Sequence, residues 1–102
     1  MVSGRTGESM EITLDSRVKP SNKTLFRNVE GEGVLLGLNV GAYFGLDPVG
    51  TRIWELIAER GLLREVAREI VAEFEVESEK AEGDLLRLVE ILLEKNLIEF
   101  AR

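Results

Sequence analysis

The apolar positions of this chain follow a strand period over residues 24–46 and a helix period from residue 48 onward. Side chains alternate between two faces in the segments 24–29, 34–38 and 42–46, which predicts three short strands. Glycine-containing segments at 30–33 and 39–41 separate these strands, because glycine permits the positive φ that tight turns require. The spacing predicts an antiparallel meander in the order 1-2-3, with the third strand at an edge.

Three helices are predicted after the strands. The first begins at Asp47-Pro48, since Asp is a favourable N-cap and Pro suits the first helical position, and it ends at Gly61. The second covers about 62–74 and the third about 78–95, with Ser78 as its N-cap. Residues 97–100 fit either a terminal strand or a segment that packs down on the core. Three strands before three helices indicate an α+β domain resembling a winged helix-turn-helix whose wing comes first in sequence.

The segment 1–22 is predicted to be flexible or loosely packed, ahead of a domain at 23–102. Residues 1–10 hold little that could be buried, and residues 11–22 are ambiguous, since Ile12, Leu14 and Val18 alternate only loosely. The sequence contains no run of about 18 apolar residues, so it predicts no transmembrane helix. Residues 1–16 also lack the apolar centre of a secretory signal. Together with the absence of Cys, this pattern favours a cytoplasmic protein.

Composition argues against catalysis. The chain has no Cys and no His, which excludes thiolate chemistry, imidazole acid–base catalysis and zinc sites of the usual kind. Glu65, Glu69 and Glu73 repeat at four-residue spacing on one helix side, which is typical of a solvated face. The glycines at 31, 33 and 37 miss the dinucleotide-binding spacing and lie between two strands. The sequence therefore predicts a protein that is not an enzyme and that holds no metal and no cofactor.

Charge narrows the choice of partners. The chain has 13 basic and 19 acidic residues, a net charge of −6. This balance disfavours nucleic acid and anionic membranes as partners. A winged-helix DNA-binding regulator nevertheless stays open as an alternative, because such folds commonly bind DNA. For DNA binding, however, the basic residues of the second helix are only Arg64 and Arg68, which lie among glutamates.

The third predicted helix is apolar over an arc of about 220°, whereas a helix with one buried face needs roughly 100° or more. Either its own domain covers it on two sides, or one flank meets the core while the other borders a groove for a partner. The apolar side chains that form this arc are Leu85, Leu86, Leu88, Val89, Ile91, Leu92 and Leu93.

The third predicted strand carries neither charge nor proline, although exposed edge strands are usually protected by one of them. The N-terminal segment or a second copy of the chain could cover this edge, and the second case makes self-association as a homodimer an alternative function. The edge could equally accept an extended peptide as an additional strand. Such an edge beside an apolar helix flank would form a peptide-binding cleft.

Three segments of the sequence resemble the PqqD family, whose members are recognition elements for ribosomally synthesised and post-translationally modified peptides (RiPPs). The family has a strand of the form G-x-Y-Y/F-x-L-N, a helix G-x-x-I-W-x-L and a later helix D-L/V-x-x-x-L-x-x-L. The corresponding segments here are GAYFGLD at 41–47, GTRIWEL at 50–56 and DLLRLVEILL at 84–93. The resemblance extends over about residues 24–100.

The resemblance implies a non-catalytic peptide chaperone that binds the leader of a ribosomal precursor peptide. The leader would add a strand to the third strand, lie against the third helix and be presented to another enzyme. That enzyme would be a radical S-adenosylmethionine enzyme, as in pyrroloquinoline quinone synthesis, or a leader peptidase, as in lasso peptide synthesis. The acidic third helix favours a basic leader or partner. The implied peptide-binding residues are Ala42, Tyr43, Phe44, Gly45 and Leu46 on the strand, Leu85, Leu88, Val89 and Leu92 on the helix, and Asp84 and Arg87 as polar contacts.

Overall fold

A three-stranded antiparallel sheet followed by three helices forms most of the part of the chain that the structure describes. This computed structural model describes residues 11–38 and 41–101. The α+β, winged-helix-like architecture predicted from the sequence is confirmed. Within the described residues no helix is long and apolar enough to cross a membrane. In chain order the elements are β1 (Val18–Pro20), β2 (Thr24–Val29), β3 (Glu32–Gly37), β4 (Ala42–Gly45), α1 (Pro48–Glu59), α2 (Leu63–Phe74), α3 (Ser78–Glu94) and β5 (Ile98–Phe100).

The sheet has β3 at its centre, between β2 and β4. Leu35 of β3 lies opposite Phe26 on one side and Phe44 on the other, and its side chain is fully buried. The first turn is shorter than predicted, because pairing continues down to Val29 and Glu32. Glu30 and Gly31 alone make the turn, with φ of 56° and 89°. Positive φ at both positions matches the twist of the flanking strands and permits a two-residue connection.

Each helix start follows from local chemistry to a different degree. The Asp47 Oδ1 accepts a hydrogen bond from the Gly50 N–H at 2.7 Å, so the predicted cap of α1 is confirmed. Ser78, predicted as the N-cap of α3, is instead its first residue; Glu77 occupies the cap position and its side chain makes no capping bond. Between α1 and α2, Gly61 has a φ of +81°, and an added Cβ there would lie 3.2 Å from the Val18 carbonyl oxygen. Gly61 therefore serves both the turn and the close approach of β1.

The strand β1 was not predicted. It pairs antiparallel with β5, with Val18 opposite Phe100, and Val18 is buried in the core. The part of the N-terminal segment at residues 11–22 is therefore packed against the domain rather than loose. Its partner strand lies about 80 residues away in the sequence, and a local pattern carries no information on such pairing. Residues 1–10 of the predicted flexible segment lie outside the described residues, and the domain division at 22 and 23 stays a prediction.

The core lies between the inner face of the sheet and the three helices. Phe26 of β2 and Trp54 of α1 stack with their ring centroids 6.1 Å apart, which joins the sheet to the first helix. The buried apolar side chains are Val18, Leu35, Leu46, Ile53, Trp54, Leu56, Ile57, Leu63, Val66, Ala67, Ile70, Ala81, Leu85, Val89, Leu92, Leu97 and Ile98.

The buried hydroxyl of Thr51 connects α1 to the end of the sheet. Its Oγ1 accepts a hydrogen bond from the Gly33 N–H at 2.6 Å and lies 3.5 Å from the Leu46 carbonyl oxygen. The Leu46 N–H in turn donates to the Gly33 carbonyl at 2.8 Å. The hydroxyl thus stands in for the second hydrogen bond that this antiparallel residue pair would otherwise exchange.

Thr51→Val is expected to lower the free energy of unfolding by about 1–3 kcal/mol, because it leaves the buried Gly33 N–H without an acceptor. Urea denaturation would measure this loss. Thr24→Val is the matched control, since its Oγ1 donates to the Leu97 carbonyl at a part-buried position that water can reach. Equal losses in the two variants would contradict a special role for Thr51.

Candidate peptide-binding groove

A groove of about 630 Å³ lies between β4 and α3. Phe44, Gly45 and Leu46 form one wall, and α3 forms the other. Side chains from α1, the end of α2 and the α2–α3 connection form the floor. The remaining lining residues are Asp47, Val49, Gly50, Ile53, Ile70, Phe74, Val76, Lys80, Ala81, Asp84, Arg87, Leu88 and Ile91. Most of these side chains are apolar, so the groove favours an apolar ligand surface.

The backbone of β4 presents alternate peptide groups to its two sides. The hydrogen bond from the Leu46 N–H to the Gly33 carbonyl identifies a hydrogen-bonded residue pair. Alternation along the antiparallel ladder then makes Phe44 and Leu35 the next such pair. The peptide groups of Tyr43 and Gly45 consequently point away from β3. Each of these two residues offers an N–H donor and a carbonyl acceptor at the outer edge of the sheet.

This outer edge is suited to accept a further strand. Within residues 11–38 and 41–101, β4 pairs only with β3. In the described part of the chain, no atom outside residues 44–46 lies within 4 Å of the position that a Cβ on Gly45 would take. The Tyr43 side chain is 75% exposed and projects from the face of the sheet opposite the groove. A strand added here would therefore lie directly above the groove.

The structure separates the predicted residues of α3 into two groups. Asp84, Arg87 and Leu88 line the groove, together with Ile91, which was not among the predicted peptide-binding residues. Leu85, Val89 and Leu92 do not line it, and each is fully buried in the core. Contrary to the placement that the sequence suggested, these three side chains pack toward the interior of the domain and have no exposed surface at the groove. The third helix thus has a stripe that faces the core and a half-buried flank that borders the groove. This arrangement corresponds to the second of the two interpretations given above, a helix with one flank in the core and one at a groove.

The predicted strand residues also divide by direction. Phe44 is half-buried, Leu46 is buried, and both face the groove. Ala42 and Tyr43 are exposed and do not line it. Tyr43 and Gly45 can contribute through their outward peptide groups. Whether these strand residues and Asp84, Arg87 and Leu88 bind a peptide stays a prediction.

The polar side chains of the groove lie mainly along α3. The Asp84 carboxylate accepts hydrogen bonds from the Lys80 Nζ at 3.1 Å and the Arg87 Nη1 at 3.2 Å. The hydrogen bond from Lys80 lowers the pKa of the Asp84 carboxyl below its ordinary value, and the one from Arg87 acts in the same direction. Beyond the end of α3, the Lys95 Nζ lies 5.7 Å from the centroid of the Phe44 ring. The rim of the groove is therefore charged while its floor is apolar.

Several lining residues were not predicted because they come from separate segments of the chain. Val49 follows the start of α1, Phe74 ends α2, and Val76 lies in the connection to α3. Glu75, with a φ of 54°, turns the chain between Phe74 and Val76. Only Ile91 had a sequence signal, since it continues the spacing of Asp84 and Leu88 along one helix face. In the described part of the chain, no group of three or more Asp or Glu residues is arranged to hold a metal ion.

Comparison with known proteins gives two matches. A family model described as coenzyme PQQ synthesis protein D (PqqD) matches residues 32–98, which include β3, β4 and all three helices described above. The solved structure of TbiB1 in complex with the TbiA(beta) leader peptide is similar with a TM-score of 0.75 and 40% sequence identity. That similarity covers 79% of this chain and 94% of the other. No curated protein matches the chain.

Proposed function

The chain belongs to the PqqD family, and on that basis we propose that it binds the leader region of a ribosomally made precursor peptide in the groove between β4 and α3. The observation that carries this proposal is the outward direction of the Tyr43 and Gly45 peptide groups beside an apolar groove. The complex of the similar protein TbiB1 with a leader peptide supports it.

The binding mode follows from strand geometry. The leader peptide pairs with the outer edge of β4 and receives backbone hydrogen bonds from Tyr43 and Gly45. Because side chains alternate along a strand, every second side chain of the peptide points into the groove. There it meets the apolar flank formed by Leu88 and Ile91. Backbone pairing supplies affinity and the groove supplies selectivity, which together correspond to a Kd between about 1 μM and 1 nM.

The protein acts as a non-catalytic chaperone that presents the bound peptide to a separate enzyme. Both carboxylates that line the groove already have partners within the chain: Asp47 caps α1, and Asp84 pairs with Lys80 and Arg87. These pairings indicate structural rather than catalytic roles for the two carboxylates. A radical S-adenosylmethionine enzyme or a leader peptidase would be the recipient of the presented peptide.

Charge pairing disfavours the DNA-binding alternative. Arg64 at the start of α2 donates to Asp15 at 2.8 Å, and Arg52 makes hydrogen bonds of 2.8 and 3.0 Å to Glu73. The bond from Arg52 lowers the pKa of the Glu73 carboxyl, which keeps it charged beside that guanidinium. Arginines bound to carboxylates are less available to phosphates.

Amide hydrogen exchange, followed by NMR, tests the proposed edge directly. The probes are the TbiA(beta) leader peptide and peptides of about 12 residues selected from a random display library, a length that spans about 40 Å when extended. In the free protein the Tyr43 and Gly45 amides should exchange fast and the Phe44 amide slowly, because only Phe44 is paired with β3. A bound peptide should slow Tyr43 and Gly45 and leave Phe44 unchanged.

Two outcomes would contradict the proposal. Slow exchange at Tyr43 and Gly45 in the free protein would mean that the edge is already covered. Failure of the library to yield any peptide with a Kd below about 100 μM would mean that the groove does not bind extended peptides.

A further inference from the structure

We infer, building on the proposed function, that the peptide bound in the groove carries carboxylate side chains beside its apolar ones. The basis is a row of cations along one side of the groove. Lys80 and Arg87 line it from α3, and Lys95, just past the end of the helix, lies over the Phe44 ring. An approaching peptide strand would meet these cations next to the apolar floor.

The carboxylates at the groove already have partners within the chain. Asp84 accepts one hydrogen bond from Lys80 and one from Arg87, at 3.1 and 3.2 Å. Asp47 accepts the capping bond from Gly50. A cationic peptide would have to compete with these internal partners for either carboxylate. The two cations beside Asp84 also balance its charge, so a basic ligand gains less there than it would at an unpaired carboxylate.

The cations, in contrast, retain donors. Arg87 uses Nη1 for Asp84, its side chain is 70% exposed, and a guanidinium has several further N–H donors. Lys95 contacts an aromatic ring, and in the described part of the chain its ammonium is not within salt-bridge distance of a carboxylate. Carboxylates are the peptide groups that best match such donors.

This local charge is opposite to the charge of the whole chain, which is −6. The acidic character of the third helix led to the expectation of a basic leader or partner. Among the acidic residues of α3 only Asp84 lines the groove, where it pairs with Lys80 and Arg87, so that the groove side of α3 is cationic. The glutamates of α3 that do not line the groove are Glu79, Glu82, Glu90 and Glu94.

The test is a display selection of random peptides of about 12 residues on three proteins at the same ionic strength. They are the wild type, the double variant R87E/K95E, and the matched control K23E/R68E. The control changes the total charge equally, at two exposed positions that do not line the groove. Thermal unfolding of all three verifies that the variants are folded.

The wild type and the control should both enrich Asp and Glu, whereas R87E/K95E should enrich Lys and Arg. Replacing the enriched acids of a selected peptide by their amides should weaken its binding to wild type about two- to fivefold, as expected for exposed ion pairs. Binding of that peptide to R87E/K95E should fall about tenfold or more, because repulsion replaces attraction.

The remaining outcomes separate the two proposals. Peptides that bind at the edge of β4 without acid enrichment, and that bind R87E/K95E as tightly as wild type, would overturn this inference and leave the proposed function standing. A selection that yields no binding peptides would overturn both.

Discussion

Leu85→Ala is expected to lower the free energy of unfolding by about 2–5 kcal/mol. Leu85 is fully buried on the core-facing stripe of α3, so truncation creates a cavity that the surrounding helices can fill only in part. Because the total stability of a domain of this size is about 5–15 kcal/mol, a single change of this kind removes a large share of it. Urea denaturation at fixed temperature measures the loss.

Leu88→Ala is the matched control. Leu88 lies nearly one helical turn after Leu85 and is half-buried at the groove. Its truncation should lower the free energy of unfolding by only about 1 kcal/mol, because much of that side chain is already solvated. It should instead weaken binding of a library-selected peptide about tenfold. If Leu88→Ala were the more destabilising variant, the division of α3 into a core stripe and a groove flank would be incorrect.

Gly45→Pro is expected to weaken peptide binding at least about tenfold, because proline removes an outward N–H donor and places its ring where the added strand would lie. The fold should persist, since proline is tolerated in an edge strand when the missing N–H faces away from the sheet. Isothermal titration calorimetry with a library-selected peptide measures the change.

Gly45→Ala provides the matched control, because it keeps the N–H and adds a methyl group that meets no described atom within 4 Å beyond its two chain neighbours. Its affinity should stay close to that of wild type. Equal affinities of the Pro and Ala variants would show that the peptide does not pair with this edge. Tyr43→Pro, compared with Tyr43→Ala, repeats the test at the second outward residue. Phe44→Pro is unsuitable, because the Phe44 N–H belongs to the ladder with β3.

Local sequence signals were sufficient for most of the fold. Asp47 and Pro48 mark the start of α1 because capping and a fixed φ act within one turn of helix. Phe44 and Leu46 lie on the same face because successive side chains of a strand point to opposite faces. Such features depend on neighbours in the sequence, and the structure confirms them.

The features that were missed depend on contacts between distant segments. Pairing of Val18 with Phe100 requires knowledge of where two distant segments lie in space. Leu85 and Leu88 are chemically identical and differ only in what α3 packs against. The apolar arc therefore predicts that α3 has a groove flank, but it does not show which leucines belong to that flank. Phe74 and Val76 reach the groove through a turn at Glu75 whose positive φ has no strong residue signature.

The pairing of β1 with β5 has a practical consequence for tethering. This small sheet lies near Gly61 and Leu62, where α1 ends and α2 begins, whereas the groove lies at the start of α1 and the end of α2. Each of these helices has 12 residues and is about 18 Å long, so the small sheet and the groove lie toward opposite ends of both helices. A reporter or an immobilisation tag joined beyond β5 would thus be held at the small sheet, beside the end of α1, rather than at the start of α1 that lines the groove.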